Sequence, residues 1–326
     1  MCTAVSFAPK DHYFGRNLDL EYHYDEKITI APRNFLFAFR CGKSLKSHFA
    51  LMGVATIVDG NPLYYDAVNE HGLAMAGLNF PHLAAYYPAK YGFYNIAPFE
   101  FIPWILSQCK TIEEAKKLLH STNIWEHSYS KDLPLTPMHW MITGKHEAIV
   151  VEPTAEGIRI YNNTVGILTN SPGFNYHLHN LTNFMNLSTH QAENRFAANL
   201  NLLPYSNGMG AIGLPGDLSS TSRFIRAAFV KCNSVCNCDE HSAVSQFFHI
   251  LGAVEQQNGC CVTQSGLEKT IYSNCYNTDM GICYFRSYEN SDIYAVDMHR
   301  ENLDSEQIIP FPMYKKQHFH FLNAYL

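Results

Sequence analysis

The chain opens with a cysteine, an arginine and an aspartate whose side chains suit nucleophilic catalysis. The opening reads "MCTAVSFAPKDHYFGRNLDLE", with Cys2 directly after Met1 and with Arg16 and Asp19 downstream. Cysteine is a small second residue that permits removal of Met1, which would give Cys2 both a thiol and a free α-amine. An α-amine titrates close to neutral pH, so it can accept the proton of its own thiol. We therefore expect a mature form that starts at Cys2 and needs no histidine base.

Arg16 and Asp19 are the residues predicted to support this nucleophile. Thiolate is the attacking form of cysteine, and a nearby cation favours it. A tight turn near Lys10 and Asp11 would lay the strand of Arg16 beside Cys2. Asp19 could then orient the amine or the arginine through charge-assisted hydrogen bonds. The alternative for the pair is a surface ion pair of little energetic value.

Two asparagines at the ends of apolar strands are candidates for binding an oxyanion. Asn79 lies in "AGLNF" and Asn170 in "LTNSP". A buried amide must find hydrogen-bond partners, and an oxyanion in a tetrahedral intermediate is one such partner. The alternative is an asparagine that forms a turn, which suits Asn170 because Ser171 and Pro172 follow it.

The elements that must hold these residues come in blocks, first strands, then helices, then strands again. This order does not alternate as βαβ units do, so it predicts an α+β fold with stacked antiparallel sheets between helical layers. The predicted strands are CTAVSFA, DHYFGRNLDL, KITIAPR, FLFAFR, FALMGVATIV, GLAMAGLNF, MHWMIT, EAIVVEP, GIRIYNN and VGILTNS, with a strand meander over 269–298.

Four helices are predicted from apolar periodicity and capping signals. They are PFEFIPWILSQC with a start or kink at Pro103, TIEEAKKLLHST with Thr111 and Glu114 as a capping box, SRFIRAAFVKC capped by residues 219–222, and HSAVSQFFHILGAVEQQNG ended by Gly259.

Composition limits the class of protein. The 326 residues are 47% hydrophobic and 16% charged, which is typical of a globular protein with a large core. A net charge of -6 without a basic run argues against nucleic-acid binding. The longest apolar stretch, residues 49–58, is too short to cross a bilayer, and no signal peptide is recognisable. We expect a single cytoplasmic domain over 1–326, in which the sequons at Asn162, Asn180 and Asn186 have no role.

A cluster of soft ligands, Cys232, Cys236, Cys238 and His241, raises the question of a zinc site. Its C-x3-C-x-C spacing is not a common zinc spacing, and the sequence has no second ligand pair to match it. The favoured interpretation is a surface loop of free thiols and no metal.

The order of several segments resembles the choloylglycine hydrolases, and more narrowly the bacterial bile salt hydrolases. The segments are "MCTA…FGRNLDLE", "YYDAVNEHGLAMAGLNF", "LTNSP" and "GLPGDLSSTSRFIRAAF", with further similarity in "MHWMI", "FFHIL" and "VDMHRENLD". The resemblance implies the four-layer αββα sandwich of the N-terminal nucleophile (Ntn) hydrolases. It implies hydrolysis of the amide that joins a bile acid to glycine or taurine. It also implies no cofactor, no metal and a homotetramer.

The resemblance also implies a role for each matching residue. Cys2 matches the nucleophile, and Arg16 and Asp19 match the residues that position and polarise it. Asn79 and Asn170 match the contacts to the oxyanion and the substrate amide. Arg223, in "TSRFIR", matches an arginine that supports the site from the start of a helix.

A steroid would need an apolar cleft with few polar groups. Leu18 and Leu20 flank Asp19 and share one face of a strand, and Leu133 and Leu135 lie in the loop "SKDLPLTP". With Tyr65, these four leucines are the predicted substrate-binding residues. The alternative for the loop leucines is ordinary anchoring of the loop.

Three rival functions remain open from the sequence. A penicillin V acylase shares the fold and nucleophile, but that branch usually has a tyrosine at the position of Asn79. A non-catalytic bile-acid binding protein would tolerate loss of Cys2, Arg16 or Asp19, and all three are present. A metal-binding regulatory protein would depend on the Cys232–His241 cluster.

Overall fold

Two antiparallel β-sheets form the centre of the molecule. The computed structural model describes residues 1–323. Within them, the strands β1 to β19 are, in order, Cys2–Phe7, Tyr13–Leu20, Lys27–Ala31, Phe37–Ala38, Ser44–Leu45, Leu51–Val58, Asn61–Asn69, Ala74–Asn79, Tyr94–Ile96, Thr122–Ile124, Met138–Thr143, Ala148–Thr154, Gly157–Asn162, Ile167–Leu168, Cys261–Val262, Leu267–Asn277, Ile282–Ser287, Tyr294–Asp297 and Ile309–Pro312.

The helices occupy the middle and the last third of the chain. Helices α1 to α5 are Phe101–Leu106, Ile112–His120, Phe174–Asn180, Ser220–Asn233 and Glu240–Gly252, and single 3-10 turns lie at Pro98–Glu100, Leu181–Phe184, Met209–Ala211 and Met298–Arg300.

The first sheet carries the start of the chain. Its order is β14-β1-β2-β16-β17-β18, with β15 paired to β16. The second sheet has the order β13-β12-β11-β8-β7-β6-β3-β19. Every strand pair in both sheets is antiparallel. Small two-stranded sheets, β4 with β5 and β9 with β10, lie beside them.

The two sheets stack between layers of helices. Helices α4 and α5 pack on the first sheet, and α1 packs on the second. Strands β1 and β2 contact β8 across the gap between the sheets. The predicted α+β fold with four αββα layers is confirmed.

Burial on both faces explains why the inner strands are almost continuously apolar. All but one residue of β1 are buried, and so is every residue of β2 except Leu20. A sheet covered on both sides has no solvent face that would need polar side chains. Strand β13 (GIRIYN) lies at the edge of the second sheet, and none of its residues is buried. Its sequence accordingly mixes polar and apolar side chains.

Helix α1 is shorter than the predicted PFEFIPWILSQC, and the end of α5 differs most from the prediction. Helix α5 ends at Gly252, not at Gly259. The residues after it pair with β16, because the backbone N–H of Gln256 donates to Thr270 Oγ1 and the N–H of Thr270 donates to the Gln256 carbonyl. Tertiary pairing therefore overrides the helical pattern of "VEQQ".

Several strands also differ from the prediction. FLFAFR forms only the two residues of β4, and VGILTNS only the two of β14. Strand β7, Asn61–Asn69, was not predicted at all. No helix among residues 1–323 is both long enough and apolar enough to cross a membrane.

Candidate active site

Cys2 is the first residue of β1 and lies at the base of an apolar cavity. It pairs with Leu18 on β2, and only 3% of its surface is exposed. Residues opposite each other in an antiparallel pair point to the same face, so the thiol faces the second sheet together with Leu18. The cavity above it has a volume of ≈ 390 Å³, and Arg16 and Asn79 line it as well.

The guanidinium of Arg16 crosses from the first sheet to the second. Its Nη1 donates to the carbonyl oxygens of Gly77 at 2.6 Å and Tyr65 at 3.1 Å. Among the described residues, nothing accepts a hydrogen bond from Nη2. Burial alone would lower the pKa of Arg16, but the charges of Cys2, Tyr272 and the buried carboxylates raise it. Arg16 is therefore a permanent cation beside the thiol.

Asp66 on β7 is the carboxylate that balances this cation, and the sequence analysis missed it. Its Oδ2 lies 4.0 Å from Arg16 Nε. Asp66 also accepts hydrogen bonds from Tyr272, Asn274 and Tyr276 of β16. Burial raises the pKa of Asp66, and Arg16 and the three donors oppose that rise. An aspartate in the apolar strand "LYYDAVN" was the available signal.

Asp19 lies on the opposite face of the first sheet, toward α4 and α5. Thr270 Oγ1 donates to its Oδ1 at 2.6 Å, where a bulge in β16 interrupts the pairing with β2. Arg223 Nη1 is 4.0 Å from Oδ2, which has no hydrogen-bond partner in the described part of the chain. Burial raises the pKa of Asp19, and the charge of Arg223 opposes that rise.

Asn170 joins three parts of the site. Its Oδ1 accepts hydrogen bonds from the backbone N–H of Cys2 at 2.9 Å and from Arg223 Nη2 at 2.6 Å. Its Nδ2 donates to the carbonyl of Asn79 at 2.7 Å. A side-chain amide has two N–H groups, so one remains for a ligand.

Arg223 holds the strand of Cys2 from the first turn of α4. Its Nη1 donates to the Cys2 carbonyl at 2.5 Å and to Thr3 Oγ1 at 2.6 Å. Ser219 caps the helix, as predicted, by accepting from the N–H of Ser222. Burial lowers the pKa of Arg223, and Asp19 is the largest opposing influence.

Asn79 ends β8 and turns its side chain into the cavity. Its Oδ1 is buried, and no residue of 1–323 donates a hydrogen bond to it. An unpaired buried carbonyl oxygen costs free energy unless a ligand or water supplies a donor. Asn79 is therefore available to an N–H or O–H of a bound molecule.

All five predicted substrate-binding residues line this cavity. Leu18 and Leu20 form its wall on the first sheet, and Tyr65 donates to or accepts from Thr56 Oγ1 at 2.8 Å. Leu133 and Leu135 are half-buried rather than exposed, because their loop folds over the cavity. Further apolar residues that were not predicted also line the cavity, among them Val58, Leu63, Phe99, Ile102, Tyr129 and Met138.

Two buried histidines brace the loop that carries Asn170, and neither was predicted to act there. His177 Nε2 donates to the Asn170 carbonyl at 2.9 Å, and burial lowers the pKa of His177 to about 4. His139 Nε2 donates to the Thr169 carbonyl, and its Nδ1 faces Glu152 at 3.3 Å.

The cysteine cluster lies apart from this cavity. Cys232 and Cys238 are exposed and Cys236 is half-buried, and all three are free thiols. In the described part of the chain, no three histidine, cysteine, aspartate or glutamate side chains lie close enough to hold a metal ion.

The assembled geometry suits acyl transfer. A thiol, a fixed cation and amide donors converge at the base of an apolar cavity, which is the arrangement that attack on a carbonyl requires. The chain described here still carries Met1, so the backbone nitrogen of Cys2 is an amide.

The sequence matches the model of one protein family. The family model of the linear amide C–N hydrolases, choloylglycine hydrolase family, matches residues 2–311. A bile salt hydrolase/transferase of Lactiplantibacillus plantarum is 47% identical over 99% of this chain and 100% of its own length. A bile salt hydrolase/transferase of Clostridium perfringens is 38% identical over 94% of this chain and 95% of its own.

Solved structures agree with the sequence comparison. The crystal structure of the C2A mutant of conjugated bile acid hydrolase from Clostridium perfringens has a TM-score of 0.92 and 36% identity, covering 99% of this chain and 100% of that one. A penicillin V acylase from Agrobacterium tumefaciens has a TM-score of 0.74 at 17% identity, over 94% of this chain and 90% of its own, and so shares the fold. The chain therefore belongs to the choloylglycine hydrolase family of linear amide C–N hydrolases, which have the Ntn-hydrolase fold, and it is an amide-hydrolysing enzyme.

Proposed function

We propose that this enzyme hydrolyses the amide bond of bile salts conjugated with glycine or taurine. The relatives that align over nearly the whole chain carry the names bile salt hydrolase/transferase and conjugated bile acid hydrolase. The observation that carries the proposal is the apolar cavity that opens directly onto the thiol of Cys2. A steroid is a rigid apolar body, and such a cavity would hold it with its side-chain amide at the sulfur.

The mature form starts at Cys2, whose α-amine is then the proton carrier. The amine takes the thiol proton, and the thiolate attacks the amide carbonyl carbon to give a tetrahedral oxyanion. Arg16, a buried cation beside the sulfur, favours the thiolate. Asp19 positions the α-amine, because its Oδ2 is buried near the start of β1 and needs a donor.

Collapse of the intermediate releases the amino acid. The remaining N–H of Asn170 and a backbone N–H near Asn79 stabilise the oxyanion. The protonated α-amine gives its proton to the departing nitrogen of glycine or taurine, which leaves a thioester on Cys2. Water, deprotonated by the same amine, then attacks the thioester and frees the bile acid. Arg223 supports the site by holding the carbonyl of Cys2 and the amide of Asn170.

The substrate contacts follow from the cavity walls. Leu18, Leu20, Tyr65, Leu133 and Leu135 surround the steroid, and none of the steps above needs a metal or cofactor. A penicillin V acylase activity is the alternative. Asn79 argues against it, because that branch usually has tyrosine at this position.

The working form is a cytoplasmic homo-oligomer, and a homotetramer is the assembly that the family resemblance implies. An apolar arm over residues 185–208 supports self-association. Its most exposed large apolar side chains are Met185, Phe196, Leu203 and Tyr205, each more than two-thirds accessible in the single chain. Side chains of this kind are normally covered by a partner.

Release of glycine or taurine from conjugated bile salts tests the function directly. We expect wild type to release both bile acid and amino acid, and Cys2→Ala to lose at least about 1,000-fold in kcat/KM. Cys41→Ala, at a half-buried cysteine that does not line the cavity, is the matched control and should match wild type. Undiminished turnover by Cys2→Ala, or a higher kcat/KM for penicillin V than for bile salts, would refute the proposal.

A further inference from the structure

A carboxylate behind the nucleophile holds the terminal ammonium of the chain. Met1 N donates to Glu268 Oε2 at 2.7 Å and to the Asp19 carbonyl at 2.8 Å. The Asp19 N–H in turn donates to the Met1 carbonyl at 2.9 Å. Glu268 is only 5% exposed, and within residues 1–323 its Oε1 has no hydrogen-bond partner. The buried carboxylate of Glu268 on β16 thus forms an ion pair with the terminal ammonium that precedes β1.

Removal of Met1 leaves these groups in need of new partners. Glu268 Oε2 and the Asp19 carbonyl lose a donor, and the Asp19 N–H loses an acceptor. Buried polar groups rarely remain unpaired, and a water needs two to four such partners. The new terminal ammonium belongs to Cys2. It lies one residue along the chain from the Met1 ammonium that Glu268 binds.

We propose that Glu268 is a positioning residue of the mature enzyme, which stabilises the protonated α-amine of Cys2 through water in the place of Met1. The inference rests on the proposed function, because it requires that amine to be the proton carrier. Glu268 contacts neither thiol nor substrate. It acts by setting how strongly the amine holds its proton.

Glu268 is a second negative charge near the amine, beside that of Asp19. Asp19 positions the amine, but its charge is partly balanced, because Oδ1 accepts from Thr270 and Oδ2 lies 4.0 Å from Arg223. Burial raises the pKa of Glu268, and the terminal ammonium opposes that rise. Other charged and titratable groups face this region from the neighbouring elements. They are Arg16 and Asp19 of β2, Glu21 directly after β2, Arg223 of α4, Glu255 after α5 and Cys261 of β15.

The sign of the effect on pH dependence follows from charge alone. Active enzyme holds one proton on the amine and thiol together; a second proton inactivates it, and so does loss of the first. Glu268→Gln removes a negative charge, which makes both proton losses easier. Both limbs of the kcat/KM profile should therefore move to lower pH, by about one unit for a charge at this range.

The experiment compares pH profiles of Glu268→Gln, Glu268→Asp and Glu21→Gln with wild type. Glu268→Asp keeps the charge, so its limbs should stay in place even if kcat falls. Glu21→Gln removes a nearby charge whose Oε1 accepts from Thr263 instead of from the ammonium, and it should shift the limbs far less. Unshifted limbs in Glu268→Gln, or equal shifts in Glu268→Asp or Glu21→Gln, would overturn the proposal.

A second readout separates this inference from the proposed function. The rate of Cys2 alkylation by iodoacetamide, followed by peptide mass, reports thiolate formation without any bile salt. Its pH dependence should move to lower pH in Glu268→Gln and stay in place in Glu268→Asp. Wild type that alkylates in this way but releases no glycine or taurine would refute the function and leave the role of Glu268 intact. An alkylation profile in Glu268→Gln that matches wild type would refute the role of Glu268.

Discussion

Arg16 connects the nucleophile, the cavity and the second sheet. Its guanidinium is fully buried, bonded to two carbonyls of the second sheet and close to the carboxylate of Asp66. A cation in this setting has two separable effects. Its charge pairs with Asp66, and its forked shape leaves Nη2 without a partner among the described residues, so we propose that this nitrogen faces the reacting group.

Arg16→Lys keeps the charge and loses the fork. We expect the variant to fold, because an ammonium can still pair with Asp66, and to lose about 100-fold in kcat/KM, as when one stabilising donor is removed from an active site. Steady-state kinetics and urea unfolding measure the two quantities. Activity within threefold of wild type would contradict a catalytic role for the guanidinium.

Arg16→Met is the companion variant that removes the charge. It leaves the buried carboxylate of Asp66 without its cation, so we expect the free energy of unfolding to fall by about 3–5 kcal/mol. An equal free energy of unfolding in the Met and Lys variants would contradict the claim that the charge of residue 16 stabilises the fold by pairing with Asp66.

The site residues of the N-terminal hairpin were more predictable than the partners that lie far from them along the chain. Cys2, Arg16 and Asp19 share one short stretch, so a hairpin was enough to bring them together. Asp66 and Glu268 lie far along the chain from Cys2, at positions 66 and 268, and only the pairing and stacking of the sheets bring each of them near the site. No local pattern records such long-range pairing, and "LYYDAVN" alone does not say which cation Asp66 meets.

At the scale of elements, the arm over residues 185–208 stands out from the regular sheets and helices. It has no strand or helix, and its two limbs are tied by Ser188 N–H to the Gly210 carbonyl and by Gln191 Nε2 to the Ser206 carbonyl. Phe196 and Tyr205 are 82% and 84% exposed. A loop with outward aromatic side chains is consistent with the interface between copies proposed above.

Replacing Phe196, Leu203 and Tyr205 together by serine should disrupt that interface. Light scattering should report four chains of 37.0 kDa for wild type and a smaller assembly for the variant, because the apolar contact area is lost. Tyr91→Ser, at another fully exposed aromatic outside the arm, is the control and should leave the mass unchanged. A wild-type mass of one chain would contradict the proposed homo-oligomer.

Most long elements were predictable, although the nine-residue strand β7 was not predicted, and the boundaries of the short elements were not predictable. Four predicted elements have six or more residues, which is long enough for their hydrophobic pattern to be recognised. They are β6, β11, β12 and α4. Strands β4 and β14 have two residues each, so their boundaries depend on neighbours. The end of α5 was predicted wrongly for the same reason, because contacts with β16 determine where the helix stops.

At the scale of the whole molecule, the sandwich holds the first strand rigidly from all sides. Strand β14 flanks β1 on one edge and β2 on the other, α4 covers one face, and β8 lies across the gap. The start of the chain is therefore a fixed point in the fold, where a terminal amine can be held against catalytic groups. The α+β class and the layering followed from the order of elements, but this convergence on Cys2 is a product of tertiary pairing.

The central claim is that the α-amine of Cys2 carries the proton, and methionine removal tests it most directly. Chains that retain Met1, prepared in a host whose methionine aminopeptidase is inhibited, are compared by intact mass and bile salt hydrolysis with chains that have lost it. We predict that hydrolysis rises in proportion to the fraction that starts at Cys2, and that the Met1-bearing chain is inactive. Full turnover by a homogeneous Met1-bearing chain would contradict the account.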